Sequence, residues 1–251
     1  MSLTTDSNTP KLVTFDGDVT LYDDGQCLVS SSPVIPNILA LLARDINIGI
    51  VTAAGYTDGA RYFERLHGLL EAIRDSEVLT KKQKESLIIL GGESSYMFQS
   101  APEEEPTLLR AVARDTWALE EMKAWTEGDI NHLLDLAETA LRDSVVAMRL
   151  NAVVLRKERA VGIVHGNVGG RFAREQLEEA VLAVQRTLEM TEVGQRLPFC
   201  AFNGGNDVFV DIGDKRLGVL CCQTFFGQVT GKQTLHIGDQ FLSAGHNDFK
   251  V

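Results

Sequence analysis

The sequence lacks three features that mark common classes of protein. It has no apolar run near the roughly 20 residues that a membrane span requires, and residues 1–10 contain no signal-peptide core. It has no run of basic residues, and its net charge is −11, which argues against nucleic acid as a partner. We therefore expect a soluble, cytoplasmic protein that binds neither membranes nor nucleic acid.

Cysteine is also scarce, with 4 residues among 251, and none has Cys-x-x-Cys spacing or a flanking histidine. A zinc site is therefore not expected. Cys200, Cys221 and Cys222 lie in apolar runs, which predicts buried free thiols. The length of the chain fits one large or two modest domains and is ample for a hydrophobic core.

What the sequence does contain is an acidic motif directly after its first apolar run. Residues 11–24 read KLVTFDGDVTLYDD, in which the apolar run ends in Asp16, Asp18 and Thr20, spaced two apart. This pattern predicts a buried strand with Asp16 at its C-terminal end, where open α/β sheets bind their ligands. Two carboxylates on a turn with Gly17 suit nucleophilic phosphoryl transfer, in which one attacks phosphorus and the other handles protons. Their charge would repel a phosphate dianion unless a divalent cation bridges them, and Mg²⁺ is the ion expected for hard oxygen ligands.

A second buried strand is predicted at residues 47–51, followed by the small residues of the sequence TAAG. Free N–H groups around Ala53 and Gly55, together with the hydroxyl of Thr52, would form an anion-binding turn before the next helix. By itself, this turn is equally consistent with an ordinary connection between a strand and a helix.

More candidate residues lie near the end of the chain. A strand predicted at residues 208–210 lies between Asp207 and Asp211, and Asp214 is predicted to cap a helix that opens with Lys215. Lys215 is either a surface or salt-bridged lysine, or a cation that neutralises a bound phosphoryl group.

Two further segments carry charge at strand ends. A strand predicted at residues 234–237 is followed by Gly238 and Asp239, the form that a metal ligand would take. The sequence RKER at residues 156–159 is the densest positive cluster and lies between two short predicted strands. It is either a solvated hairpin tip or a contact for phosphate or base.

The order of these segments resembles that of the four motifs of the haloacid dehalogenase superfamily. A closer resemblance, to the IMP-specific 5'-nucleotidases of fungi and apicomplexan parasites, covers nearly all of residues 11–249. The segments that carry it are TFDGDVTLYDDG, VTAAGYTDGARYFERLHGLLEAI, LGGESSY, RKERAVGI, FCAFNGGNDVFVDIGDK and HIGDQFLSAGHNDF. The resemblance implies a Mg-dependent enzyme that hydrolyses inosine 5'-monophosphate to inosine and phosphate, as a homo-oligomer regulated by a purine nucleotide.

The resemblance also implies roles for individual residues. Asp16 would be the nucleophile and a metal ligand, Asp18 the acid and base that also contacts the metal through its carbonyl, and Asp239 the remaining metal ligand. Thr52 and Lys215 would hold the phosphoryl group. The candidates for substrate contacts or metal support are Thr20, Tyr22, Asp24, Ala53, Gly55, Asp207, Asp211, Asp248 and Phe249.

The predicted fold class is α/β, a Rossmann-like α/β/α core of three layers with a mainly parallel sheet and an inserted α+β cap. Residues 1–10 are expected to be a disordered leader, residues 11–57 and 199–251 the catalytic core, and residues 58–198 the cap. The inserted segment, of about 140 residues, is too long for a loop. A cap would exclude water from the aspartyl-phosphate and contact the leaving group.

Two alternatives stay open on the sequence alone: a superfamily phosphatase for another nucleotide or a phosphosugar, and a non-catalytic binding module that keeps the fold. Family members carry a substantial region ahead of the first strand, which begins here at residue 11. The chain also ends at Val251, soon after Asp248. We therefore expect a shortened form that lacks part of the regulatory and oligomer contacts.

Overall fold

The computed structural model describes residues 9–23 and 25–239, and these fold as two compact units. The first unit contains the described residues up to Leu119 together with Gly218–Asp239, and the second contains Glu120–Leu217. The strands are β1 (Leu12–Phe15), β2 (Asn47–Thr52), β3 (Leu87–Gly91), β4 (Tyr96–Ser100), β5 (Leu109–Ala111), β6 (Ala152–Arg156), β7 (Ala160–His165), β8 (Phe199–Asn203), β9 (Asp207–Ile212) and β10 (Thr234–Ile237). The helices are α1 (Val34–Leu42), α2 (Gly59–Asp75), α3 (Lys81–Lys84), α4 (Glu120–Lys123), α5 (Glu127–Ala147), α6 (Arg174–Glu189), α7 (Glu192–Arg196) and α8 (Lys215–Phe225).

The sheet of the first unit has six strands in the order β10-β1-β2-β3-β4-β5. The four strands from β10 to β3 run parallel, and β4 and β5 continue the sheet antiparallel. Every residue of β1 and β3 is buried, as expected for strands that are covered on both faces. The mainly parallel sheet confirms the predicted α/β class.

Helices cover both faces of this sheet. Val13, Ile50 and Ile89 share a core cluster with the apolar residues of α1 and α2. On the opposite face, Cys222 of α8 lies against Gly49 of β2. The first unit therefore has the three layers that the sequence predicted.

The second unit is α+β. Its four strands form an antiparallel sheet in the order β6-β7-β9-β8, and α5 and α6 pack on one face. Val208, Val210 and Ile212 of β9 belong to the core cluster between this sheet and the helices. Because successive side chains alternate, Asp207 and Asp211 lie on the other face of the sheet.

The boundaries of the two units differ from the predicted division. Residues 58–119, predicted as cap, supply α2 and β3–β5 to the first unit, and residues 199–217, predicted as core, supply β8 and β9 to the second sheet. The reason lies in strand pairing: β3 is an apolar strand that pairs parallel with β2, whereas β9 pairs antiparallel on both sides. Of the expected leader, residues 1–8 lie outside the described residues.

Two smaller expectations can also be compared with the structure. Cys200, Cys221 and Cys222 are buried free thiols, as predicted, and burial raises the pKa of the Cys222 thiol. Within the described part of the chain, no helix combines the length and the apolar composition that crossing a membrane requires.

Helix α2 has an unusually close main-chain neighbour near its middle. The N–H of Leu28 donates to the carbonyl of Arg65 at 2.7 Å, and the N–H of Gly68 donates to the carbonyl of Leu28 at 3.0 Å. A Cβ atom on residue 68 would lie 2.4 Å from the nitrogen of Ser30 and 2.5 Å from the oxygen of Leu28. The segment after β1 can therefore pack on α2 only because residue 68 has no side chain.

We predict that Gly68→Ala lowers the free energy of unfolding, because main-chain atoms rather than a flexible side chain occupy the space. Overpacking of this kind costs about 1–3 kcal/mol, measurable by urea denaturation. The matched control is Gly128→Ala in the first turn of α5, where the nearest atom to a new Cβ is 3.7 Å away. There alanine should leave stability unchanged or raise it by up to about 1 kcal/mol. Equal effects of the two changes would contradict the packing at Gly68.

Candidate active site

Asp16 lies at the C-terminal edge of the parallel sheet, directly after β1. Its N–H donates to the carbonyl of Ile237 in β10 at 2.9 Å, and its Oδ1 accepts from the N–H of Gly17 at 2.7 Å. The side chain is buried. Because β1 lies between β10 and β2, the ends of three parallel strands meet beside Asp16, where such sheets place their ligands.

The same edge carries the predicted metal ligands. Asp239 follows Ile237 by two residues, so it leaves the sheet beside Asp16. In residues 9–23 and 25–239, no group of three or more His, Cys, Asp or Glu side chains is arranged to hold a metal. Mg²⁺ characteristically uses one or two carboxylates and completes its shell with water and substrate phosphate, whereas structural zinc needs four protein ligands. Two carboxylates on adjacent strand ends match the small number of protein ligands that Mg²⁺ uses.

The loop after β2 has the hydrogen bonding expected of an anion-binding turn. Thr52 is buried, and its Oγ1 accepts from the N–H of Ala54 at 3.1 Å, which leaves the hydroxyl hydrogen to be donated elsewhere. The N–H of Tyr56 bonds a hydroxyl of α2 at 2.9 Å. The N–H groups of Ala54 and Tyr56 are therefore used within the protein. The amides predicted to bind an anion, those of Ala53 and Gly55, alternate with them along the loop.

The first two strand ends meet at Gly17. A Cβ atom there would lie 2.8 Å from the hydroxyl of Tyr22 and 3.2 Å from Oγ1 of Thr52. Asp18 forms a β-bridge with Tyr22. The structure thus brings Thr52 beside Asp16, Asp18 and Tyr22, which were predicted from a different segment of the chain.

Tyr22 is a hydrogen-bond donor at neutral pH. Burial raises the pKa of its phenol well above the ordinary value, and the charges of Asp18 and, more weakly, Asp16 raise it further, against an opposing effect of Arg65. A protonated phenol beside the carboxylates and Thr52 suits contact with the oxygen atoms of an anionic ligand.

Two residues at this edge were missed by the sequence analysis. Arg65 in α2 donates to the carbonyl of Gln26 at 2.8 Å. Burial lowers its pKa, but a side-chain hydrogen bond with Tyr56 and the charges of Tyr56 and Asp18 raise it, so that the net pKa is above the ordinary value. A single arginine in an amphipathic helix gives no sequence signal of such contacts.

Glu93 is the second missed residue. It is fully buried in the turn after β3, and its N–H donates to the carbonyl of Thr52 at 3.0 Å. The sequence did contain a signal for Glu93, because it is a polar residue that follows a buried strand. The same pattern identified Asp16 and Thr52.

The remaining predicted residues fall into three groups. Lys215, Asp207 and Asp211 belong to the second unit, where Lys215 is buried and opens α8. Asp214 caps that helix as predicted, because its Oδ1 accepts from the N–H of Leu217 at 2.8 Å.

The hydroxyl of Thr20 is buried and has no hydrogen-bond partner among the described residues. Asp24, Asp248 and Phe249 lie outside the described residues.

The positive cluster at residues 156–159 is mostly neutralised by α5. Arg156 lies 3.0 Å from Asp135, and Arg159 makes two hydrogen bonds to the carboxylate of Glu127, at 2.7 and 3.0 Å. Lys157 lies over the ring of Phe209, 4.3 Å from its centroid. Both arginines therefore have structural partners, which favours a role in the second unit over a role in binding phosphate.

Comparison with known proteins gives a consistent result. The family model described as IMP-specific 5'-nucleotidase matches residues 1–251. A protein of Aspergillus fumigatus named IMP-specific 5'-nucleotidase 1 is 58% identical over 240 residues, which cover 96% of this chain and 53% of that protein.

Solved structures agree in fold. A mutant of Plasmodium falciparum IMP-nucleotidase with bound IMP is 32% identical, with a TM-score of 0.86 over 97% of this chain and 61% of the other. The ATP-bound form of the same enzyme has a TM-score of 0.81 at 32% identity, covering 96% of this chain and 54% of the other. The chain thus spans little more than half the length of these relatives.

We predict that Gly17→Ala lowers kcat/KM for release of phosphate from a phosphomonoester substrate, because the new methyl group would displace the hydroxyls of Tyr22 and Thr52. Both oxygen atoms would have to shift by a few tenths of an ångström. Because misplacement by about 1 Å at a reacting centre can cost about 100-fold, we expect a smaller loss of about tenfold. The control is Gly231→Ala, where a Cβ meets no atom within 4 Å. A Gly17→Ala protein with the kcat/KM of the wild type would show that these hydroxyls do not contact the substrate.

Proposed function

The chain belongs to the IMP-specific 5'-nucleotidase family, and we propose that it hydrolyses IMP to inosine and phosphate through a phosphoryl group carried on Asp16. The observation that most supports this proposal is the buried carboxylate of Asp16 at the edge of the parallel sheet, with the hydroxyl of Thr52 and the phenol of Tyr22 beside the next residue. A nucleophile and donors for phosphoryl oxygens are the minimum that phosphoryl transfer requires.

In the first step, a carboxylate oxygen of Asp16 attacks phosphorus, and the bond between phosphorus and the 5'-oxygen of inosine breaks. Asp18 donates a proton to that leaving oxygen. In the second step, Asp18 takes a proton from a water molecule, whose oxygen attacks phosphorus and releases phosphate from Asp16. Both carboxylates return to their starting states, as turnover requires.

The family implies a divalent metal ion, and we propose Mg²⁺ held by the carboxylates of Asp16 and Asp239 and the carbonyl of Asp18. When bound, the ion neutralises the charge between the carboxylates and the phosphate. Thr52 would donate its hydroxyl hydrogen to a phosphoryl oxygen, and the amides of Ala53 and Gly55 would do the same. We propose that Lys215 holds the phosphoryl group, because it occupies the position of the lysine in the family motif.

Recognition of the base is proposed to be polar. Inosine and adenosine differ at one edge, a carbonyl with N1–H against an amino group with a bare N1, so that the wrong base leaves a buried group unpaired. Tyr22, Asp24, Asp207, Asp211 and Phe249 are the proposed nucleoside contacts. The second unit is proposed to act as the cap.

The partners and location expected from the resemblance stay predictions. The solved relatives from Plasmodium falciparum include an IMP-bound and an ATP-bound form, which supports a nucleotide substrate and a purine nucleotide effector for this chain. We also propose a homo-oligomer, as the resemblance implies, and a cytoplasmic location, as expected from the composition of the sequence.

We predict that IMP is preferred over AMP and GMP by about 10- to 100-fold in kcat/KM, since one mismatched buried polar group costs about 1–3 kcal/mol. Phosphate release should be measured for each nucleotide with Mg²⁺, with EDTA, and after Mg²⁺ is restored. kcat/KM values for the three nucleotides that are equal within a factor of about three would instead indicate a broad nucleotidase.

EDTA should abolish turnover reversibly, because the carboxylates repel the phosphate when no metal ion neutralises their charge.

We predict that Asp16→Asn reduces kcat to less than about a tenth of the wild-type value, a loss of more than about 1.4 kcal/mol of transition-state stabilisation. The amide is a poor nucleophile and removes one metal ligand. Asp115→Asn, at an exposed aspartate of the same unit, serves as the control and should leave kcat unchanged. An Asp16→Asn protein that folds normally and retains more activity than this would contradict covalent catalysis by Asp16.

A further inference from the structure

The hydroxyl of Tyr62 in α2 bridges two backbone groups of the loop at residues 52–56. It donates to the carbonyl of Ala54 at 2.7 Å and accepts from the N–H of Tyr56 at 2.9 Å. The Tyr62 side chain is only 2% exposed, and its ring packs against Tyr56 and Phe98, with centroids 5.2 and 5.1 Å apart. The phenol is therefore held from both ends, by its ring in the core and by its hydroxyl in the loop.

Strand β3 leaves room for this hydroxyl only because residue 91 is glycine. A Cβ atom on Gly91 would lie 1.7 Å from the Tyr62 hydroxyl oxygen and 2.7 Å from the carbonyl oxygen of Ala54. The next residue of the turn, Gly92, donates its N–H to the same carbonyl at 3.2 Å. Helix α2, the end of β3 and the loop after β2 thus meet at one hydroxyl group.

These bonds determine the orientation of the candidate phosphate donors. A peptide unit is planar, so its N–H points opposite to its C=O. The carbonyl of Ala54 shares a peptide plane with the N–H of Gly55, and the carbonyl of Thr52 shares one with the N–H of Ala53. Tyr62 holds the carbonyl of Ala54, and the N–H of Glu93 holds the carbonyl of Thr52 at 3.0 Å. The N–H groups of Gly55 and Ala53 therefore point away from these two hydrogen bonds.

We propose that Tyr62 is a positioning residue for phosphate recognition: its hydroxyl orients the Ala54–Gly55 peptide so that the N–H of Gly55 can donate to the substrate phosphate. The inference rests on the proposed function, because it assigns the phosphate of the nucleotide to this loop. A purely structural role would require only the ring, since the ring alone fills the space between Tyr56 and Phe98.

The two roles separate in the variant Tyr62→Phe, which keeps the ring and removes the hydroxyl. Inhibition constants for inorganic phosphate and for inosine should be measured in the presence of Mg²⁺, together with kcat and KM for IMP. We expect the inhibition constant for phosphate to rise, and kcat/KM for IMP to fall, by about tenfold. The inhibition constant for inosine should stay within a factor of about two, because inosine has no phosphate.

Phe98→Leu is the matched control, since it loosens the ring packing of Tyr62 without removing a hydrogen bond to the loop. It should lower the melting temperature at least as much as Tyr62→Phe does and leave phosphate inhibition unchanged. An unchanged inhibition constant for phosphate in Tyr62→Phe would overturn the proposal, as would an equal rise in Phe98→Leu.

Two further measurements do not depend on hydrolysis of a substrate. The Tyr56 amide, which donates to Tyr62, should exchange slowly with deuterium, and fast exchange would overturn the proposal. The gain in melting temperature from inorganic phosphate with Mg²⁺ should be present in the wild type and reduced in Tyr62→Phe. If phosphate stabilises the wild type but IMP is not hydrolysed, the proposed function fails, and the gain in melting temperature still decides the role of Tyr62. If phosphate has no effect on the wild type, both proposals fail.

Discussion

The pairing of β1 with a parallel strand on each side is the constraint on which the candidate active site depends. Phe15 is in register with Ile50 of β2 and with Ile237 of β10, and the N–H of Asp16 extends the second ladder by one more bond. A buried N–H that lost this bond would cost about 1–3 kcal/mol. The carboxylate is therefore held by its main chain, and Asp239, two residues beyond Ile237, is brought to the same edge.

The loops at the ends of the three neighbouring strands are joined by main-chain bonds rather than by long side chains. The turn after β3 donates N–H groups to the loop after β2, and that loop borders the turn after β1 at Gly17. These bonds pair the carbonyls of Thr52 and Ala54 with the N–H groups of Glu93 and Gly92. Within the described residues the hydroxyl of Thr52 only accepts a hydrogen bond, so its hydrogen can be donated to a ligand.

The second unit shows how charge can suggest a binding site and serve stability instead. Arg156 and Arg159 form the densest positive cluster in an acidic chain, yet each lies beside carboxylates of α5. The fold supplied partners that lie about 20–30 positions away along the chain, such as Asp135 and Glu127. Asp207 and Asp211 lie on the face of the sheet opposite to the cluster of apolar residues that includes α5 and α6, and Asp211 is buried there.

The sequence by itself determined the features that depend on neighbouring residues. Apolar runs that end in Asp16 and Thr52 are strands with polar ends, and Asp214 caps the helix opened by Lys215, because strand burial and helix capping are local in origin. Only the tertiary structure decided which strands share a sheet. The apolar strands β3 and β9 gave no indication that one would pair parallel with β2 and the other antiparallel with β7 and β8. Nor could the sequence show that Arg65 and Tyr62 of α2 reach the loops of the site, because hydrogen bonds between residues distant in the chain depend on how whole elements pack.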